Sequence, residues 1–275
     1  MIRFSHSIFA LPFAYSAAII AGDYAKLTAW KFILITTAMV GARSVAMGMN
    51  RIIDRYIDAK NPRTVGRAIP AGRISTKAAY FFVFFFLIVF FASAALLNML
   101  TLILSPLALV IVIGYSYTKR FTWLNHYFLG ASLAVAPMGA WLGVTANFHY
   151  IPFIISTAVL FWVAGFDIIY SFQDYEHDKK AGLFSVPVRW GIEASYHISS
   201  ISHCISFLFL ASLYFLVLKS YIYLITLAII AIMLIYQHIV VDHNDDKSIE
   251  RAFFQGNSVI SVIFFLGVIT CYLLR

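Results

Sequence analysis

Two acidic pairs interrupt an otherwise apolar chain. Asp54 and Asp58 stand in Asn50-Arg-Ile-Ile-Asp54-Arg-Tyr-Ile-Asp58, and Asp174 and Asp178 in Gln173-Asp174-Tyr-Glu-His-Asp178. The chain has only 12 Asp and Glu residues, and four of them repeat one i, i+4 spacing, which puts both members of a pair on one helix face. Hard carboxylate oxygens suit Mg²⁺, which keeps several waters and bridges a few carboxylates to the phosphates of a substrate. The plainer reading makes them interfacial charges neutralised by Arg51, Arg55, Lys179 and Lys180. Two pairs in parallel contexts argue against it.

The helical period extends both constellations. Arg43, Asn50, Asp54 and Asp58 fall along one slowly drifting stripe, and Asp167, Tyr170, Asp174 and Asp178 along a second. A charge at membrane depth costs at least about 2.5 kcal/mol, so Arg43 and Asp167 are expected to face a polar cavity.

The elements that position these residues must cross a bilayer. The chain is 62% hydrophobic and 12% charged, with a mean hydropathy of +0.86, outside the range of soluble domains. Apolar stretches of spanning length predict nine helices, near Ser5 to Gly22, Lys31 to Met49, Lys77 to Leu97, Leu100 to Tyr117, Asn125 to Thr145, Ile151 to Phe172, Ala194 to Leu218, Tyr221 to Val241 and Arg251 to Leu273. The first is read as a retained helix without a cleavage site. Lys and Arg collect on the side that carries Arg3, the segment from Arg51 to Lys77, Lys119, Arg120, Lys179, Lys180, Arg189, Lys247 and Arg251, which places the acidic pairs at the cytoplasmic face. The net charge of +8 therefore reflects topology and an anionic ligand and not nucleic acid. Cys204 and Cys271 are isolated in apolar runs and read as reduced core residues. The eight histidines suggest no metal set; His238, Asp242 and His243 come closest, and a helix end at the membrane interface explains them.

Asn50 to Arg73 and Tyr170 to Gly191 each run from a span end through an acidic pair into a basic loop with Gly and Pro. The fold class expected is all-α: a polytopic membrane protein, one domain over residues 1–275, with a nine-transmembrane-helix bundle of two quasi-repeated halves under cytoplasmic cap loops.

Taken together, the segment from Ala42 through Arg43, Asn50, Asp54, Asp58, Asn61, Pro62, Arg63 and Thr64, followed by Arg67, Pro70, Gly72 and Ser75, resembles the first signature of the UbiA-type membrane prenyltransferases. Asp167, Tyr170, Gln173, Asp174, Asp178 and Gly182, then Ser185, Pro187 and Gly191, resemble the second. Gly114-Tyr115-Ser-Tyr117-Thr-Lys119-Arg120 resembles the loop after the fourth helix. The likeness covers the whole chain and is greatest to the 4-hydroxybenzoate polyprenyltransferase branch. Many members of the superfamily carry Asn-Asp at the head of the first motif. Here Arg51 follows Asn50, which argues against relatives that make haem O, chlorophyll or archaeal lipid ethers.

The resemblance implies an integral membrane enzyme, in the cell inner membrane with its site toward the cytoplasm, that joins an isoprenoid chain to an aromatic ring using Mg²⁺. It assigns Asp54, Asp58, Asp174 and Asp178, helped by Asn50, to the metal, and Lys119 and Arg120, with Arg63 and Arg67, to the diphosphate. Arg43 is assigned to the aromatic acid or the diphosphate. Asp167 is left open between water positioning, metal assistance and proton removal. Tyr115, Tyr117, Tyr170 and Phe166 are expected near the cavity, where ring faces stabilise an allylic cation; Phe81 to Phe86 are expected to face lipid or to pack. The acceptor expected is 4-hydroxybenzoate, with 1,4-dihydroxy-6-naphthoate as the alternative and a secondary transporter as the reading from another class.

Overall fold

The computed structural model describes residues 9–242 and 245–275. Arg3, the start of the first expected span at Ser5, and His243 lie outside the described residues. Every regular element among the described residues is helical: α1 Leu11–Ala21, α2 Ala29–Ile53, α3 Arg55–Lys60, α4 Thr76–Leu97, α5 Met99–Thr118, α6 Asn125–Thr145, α7 Tyr150–Tyr170, α8 Tyr175–Lys180, α9 Val186–Leu216, α10 Tyr221–Val240, α11 Asp246–Arg251 and α12 Asn257–Leu273. Seven helical segments, among them Tyr150–Lys180 taken as one, are long and apolar enough to cross a membrane, and two apolar helices, α1 and α12, are shorter.

Local signals set the starts. Thr28, Ser75, Asn98, Ser185 and Ser220 each accept a bond from a backbone amide in the first turn of the following helix, satisfying donors that a helix cannot pair internally. Two spans depart from the sequence reading. The seventh expected span begins earlier, at Val186, and is interrupted at Gly191, whose φ of 80° suits glycine. The ninth is divided: α11 passes through a π-helical turn, Ala252–Gly256, into α12.

Large side chains from α1, α6, α7, α9, α10 and α12, among them Phe13, Trp141, Trp162, Tyr223 and Phe264, fill one buried core. Val45, Ile52, Val83, Phe90 and Leu109 make a second between α2, α4 and α5. With no hydrophobic drive between helices in lipid, close packing must come from small residues. Gly130 on α6 lies so near α7 that a Cβ there would sit 2.3 Å from the Leu160 carbonyl oxygen. Phe81, Phe84 and Phe85 point outward, as lipid contact requires. Both cysteines are free thiols; Cys271 is buried, but Cys204 is exposed and not in the core.

Candidate active site

Each acidic pair straddles a break in its helix. The expected stripes assumed continuous helices, but α2 ends at Ile53 and Asp54 is the joint to α3, with φ −89° and ψ 2°. Arg120 Nη2 donates to the Ile53 carbonyl at 3.1 Å and Arg55 Nη1 to the Ile52 carbonyl at 2.7 Å. Cationic side chains thus take the last carbonyls of α2. The turn spacing survives, because the Asp54 amide still bonds Asn50 and the Asp58 amide bonds Asp54. In the second motif α7 gives way to a 3₁₀ turn, Ser171–Asp174, with Asp174 as the joint to α8. The two joints therefore place Asp54 and Asp174 equivalently, each followed by a six-residue helix that carries the second acid.

Asp54 and Asp174 find their main partners far along the chain, and Asp58 in the loop that follows α3. Asp54 is buried; its Oδ1 is 2.8 Å from Arg120 Nη2, and its Oδ2 is 3.3 Å from Lys119 Nζ and accepts from Asn50 Nδ2 at 2.9 Å. Asp58, also buried, receives Arg67 Nη1 on Oδ1 at 2.7 Å. Its Oδ2 has no hydrogen-bond partner, and Arg51 Nη1 is 4.0 Å away. Asp174 Oδ1 accepts from Arg63 Nε at 2.9 Å and from Asn61 Nδ2 at 3.0 Å, while Arg63 Nη2 pairs with Oδ2. Arg63 Nη1 also donates to the Tyr170 hydroxyl at 3.2 Å. Burial alone would lower the pKa of Arg63, but its bonds to Asp174 override this and hold it above the usual arginine value. Asp178 is half-buried on α8.

Arg63 ties the two motifs into one site. It leaves the loop after α3 and grips the acid at the α7–α8 joint, while Lys119 and Arg120, just beyond α5, grip Asp54. The reading that made these acids surface charges paired with sequence neighbours accounts only for the long Arg51 contact. Arg55 instead lies over the Tyr56 ring, and Lys179 over Tyr175.

Among the described residues no group of three or more His, Cys, Asp or Glu side chains is placed to hold a metal ion. The donor set nevertheless fits Mg²⁺, which uses one or two carboxylates with substrate phosphates and waters instead of an all-protein cage. The bare, buried Asp58 Oδ2 is the clearest sign of spare ligand capacity, since an orphaned buried carboxylate oxygen is costly.

The other expected residues divide. Tyr170 is in the site: its hydroxyl meets Arg63, whose guanidinium lies 5.4 Å from the ring centroid, and its ring packs on Phe253. Arg43 and Tyr115 are half-buried on α2 and α5 and within electrostatic range of each other. Tyr117 is exposed, beneath Arg120, and Phe166 belongs to the core against Trp162 and Phe253. Asp167 binds a residue that the histidine survey passed over: His126 Nδ1 is 2.7 Å from Asp167 Oδ2. One histidine carries no spacing signal, and its partner lies on another helix.

This is the architecture of a polytopic helical membrane protein with one acidic and basic cluster joining its two motifs. Residues 10–266 match the UbiA prenyltransferase family, and the chain belongs to that family. It is 26% identical over 237 residues to a 4-hydroxybenzoate octaprenyltransferase of Vesicomyosocius okutanii, covering 86% of each chain. It is 28% identical to one of Nitrosomonas eutropha, over 85% of this chain and 80% of that one. Among solved structures, the apo form of a UbiA homolog from Aeropyrum pernix K1 superposes with a TM-score of 0.88 at 31% identity, over 98% of this chain and 99% of that one. A UbiA homolog from Archaeoglobus fulgidus bound to GPP and Mg²⁺ shares the fold, with a TM-score of 0.74 at 21% identity, over 97% of both chains.

Proposed function

We propose that the chain transfers a polyprenyl group from polyprenyl diphosphate to the ring of an aromatic acid, 4-hydroxybenzoate, with Mg²⁺. The observation that carries this is the Arg63–Asp174 contact, which draws both acidic motifs into one cluster with Lys119, Arg120 and Arg67. The named relatives support the acceptor, and the GPP- and Mg²⁺-bound neighbour supports the donor and metal. Counting α1 and α12 as spans gives nine crossings, and the cation distribution supports a cluster that faces the cytoplasm.

Asp54, Asp58, Asp174 and Asp178, with Asn50, would hold the metal. Mg²⁺, when bound, supplies positive charge against which the diphosphate departs. Arg63, Arg67, Lys119 and Arg120 are held by carboxylates in the free protein, and a diphosphate offers the same oxygen geometry. Guanidinium groups bind carboxylate and phosphate oxygens alike in a two-pronged fashion. As they move to the diphosphate they release the acids. Tyr170 then presents a ring face to the allylic cation left behind, and Arg43, deeper on α2, suits the carboxylate of the acceptor. The ring carbon beside the phenolic hydroxyl bonds to the first prenyl carbon, and its proton is lost to restore aromaticity.

The test is product formation by purified protein in lipid nanodiscs, with Mg²⁺ and radiolabelled prenyl diphosphates of several chain lengths. 4-Hydroxybenzoate and 1,4-dihydroxy-6-naphthoate are offered separately. Prenylated hydroxybenzoate supports the reading, and product from the naphthoate alone replaces the acceptor. No product from either overturns it.

A further inference from the structure

Outside the acid cluster, one buried polar contact joins three helices at the same end of the bundle. His126 opens α6 and is 1% exposed. Its Nδ1 meets Asp167 on the last turns of α7, and its Nε2 accepts the Val186 amide at 3.3 Å. That amide is in the first turn of α9, where the helix offers no acceptor, and Val186 is fully buried, so the bond satisfies a donor that would otherwise be orphaned. The same bond fixes the imidazole: with Nε2 accepting, the ring proton sits on Nδ1 and points at Asp167 Oδ2.

The two partners differ in what they face. The Asp167 side chain is 21% exposed against 1% for His126, so the carboxylate keeps an accessible edge while the imidazole is enclosed. Asp167 also lies one helical turn before Tyr170 on the face that leads to Asp174. A carboxylate held on one oxygen by a buried donor keeps a fixed orientation and leaves the other oxygen to a ligand.

We propose that His126 is a positioning residue for the aromatic acceptor: it orients Asp167 so that the free carboxylate oxygen accepts a hydrogen bond from the acceptor's phenolic hydroxyl. This rests on the prenyl-transfer reading above. It assigns His126 an effect on the acceptor and none on the diphosphate, whose ligands lie on other residues.

Two substitutions separate this role from a purely structural one, because Asn and Gln reproduce different halves of an imidazole. His126→Asn keeps a donor at the Nδ1 position and abandons the Val186 amide. His126→Gln keeps an acceptor at the Nε2 position and removes the donor to Asp167. Steady-state kinetics with each substrate varied, and thermal unfolding, are measured on both purified variants and the parent. The proposal expects His126→Gln to lose about tenfold or more in kcat/KM for the acceptor, as loss of a hydrogen bond to a charged group implies, with KM for the prenyl diphosphate unchanged. His126→Asn keeps the acceptor kinetics while melting lower. Parent-like kinetics for His126→Gln overturn the proposal, as do losses in both variants that follow their melting temperatures. A parent protein that prenylates no aromatic acid overturns the functional reading instead.

Discussion

Replacing Asp174 by Asn asks whether this carboxylate acts in turnover or only restrains Arg63. The side chain keeps its shape, but one acceptor oxygen becomes an amide that faces the Arg63 guanidinium, and the negative charge disappears. Asp174 makes three bonds, two from Arg63 and one from Asn61. The side chains of the Arg63–Asp174 pair are 30% and 18% exposed. Breaking a fully buried pair costs about 3–5 kcal/mol, and solvent screening at this exposure reduces that to about 1–2 kcal/mol. The expected loss of stability is therefore modest, and the variant folds. A purely restraining role would cost turnover no more than a similar energy, about tenfold. A carboxylate that helps hold the metal against the departing charge costs more, about 10²–10³ in kcat, the scale seen when one preorganised electrostatic group is removed. The assay is kcat/KM for prenyl transfer at saturating acceptor, alongside a melting curve, with Arg63→Gln and the double variant completing a cycle. Folded Asp174→Asn protein that keeps more than about a tenth of parental kcat refutes the reasoning.

Other positions give sharper single readings. Lys119→Ala should raise KM for the prenyl diphosphate by about tenfold or more, through loss of a charge-assisted contact, with little change in KM for the acceptor; substrate titrations of each measure the split. Chelation with EDTA should abolish transfer and added Mg²⁺ restore it, and activity that survives exhaustive chelation counts against the metal assignment. Gly130→Ala should lower stability by about 1–3 kcal/mol, because its Cβ meets a backbone oxygen that cannot give way, as a detergent unfolding titration would register.

The acids were legible in the sequence because charge is rare in an apolar chain: any Asp pair at helical spacing stands out against 62% hydrophobic residues. The spans were legible for the same reason; the stretch from Val186 to Gly191, which the kink at Gly191 sets off from the rest of α9, lay outside the expected span. What holds the acids was not legible. Arg63 to Asp174, and Lys119 and Arg120 to Asp54, are contacts between distant segments, and local spacing says nothing about them. The break at Asp54 belongs to the same class, since the carbonyl of Ile53 accepts from Arg120, a residue on a distant segment. His126 was missed because its signal is a helix-start amide and a carboxylate that meet only in three dimensions.

The central claim is that acids from both motifs serve one diphosphate site. Binding of a non-reactive prenyl thiolodiphosphate to purified protein in nanodiscs, with and without Mg²⁺, tests it most directly when the parent is compared with Asp54→Asn and Asp174→Asn. The account predicts Mg²⁺-dependent binding by the parent that each single substitution, in either motif, weakens by about tenfold or more. Parent-like affinity in either folded variant, or binding indifferent to Mg²⁺, would contradict it.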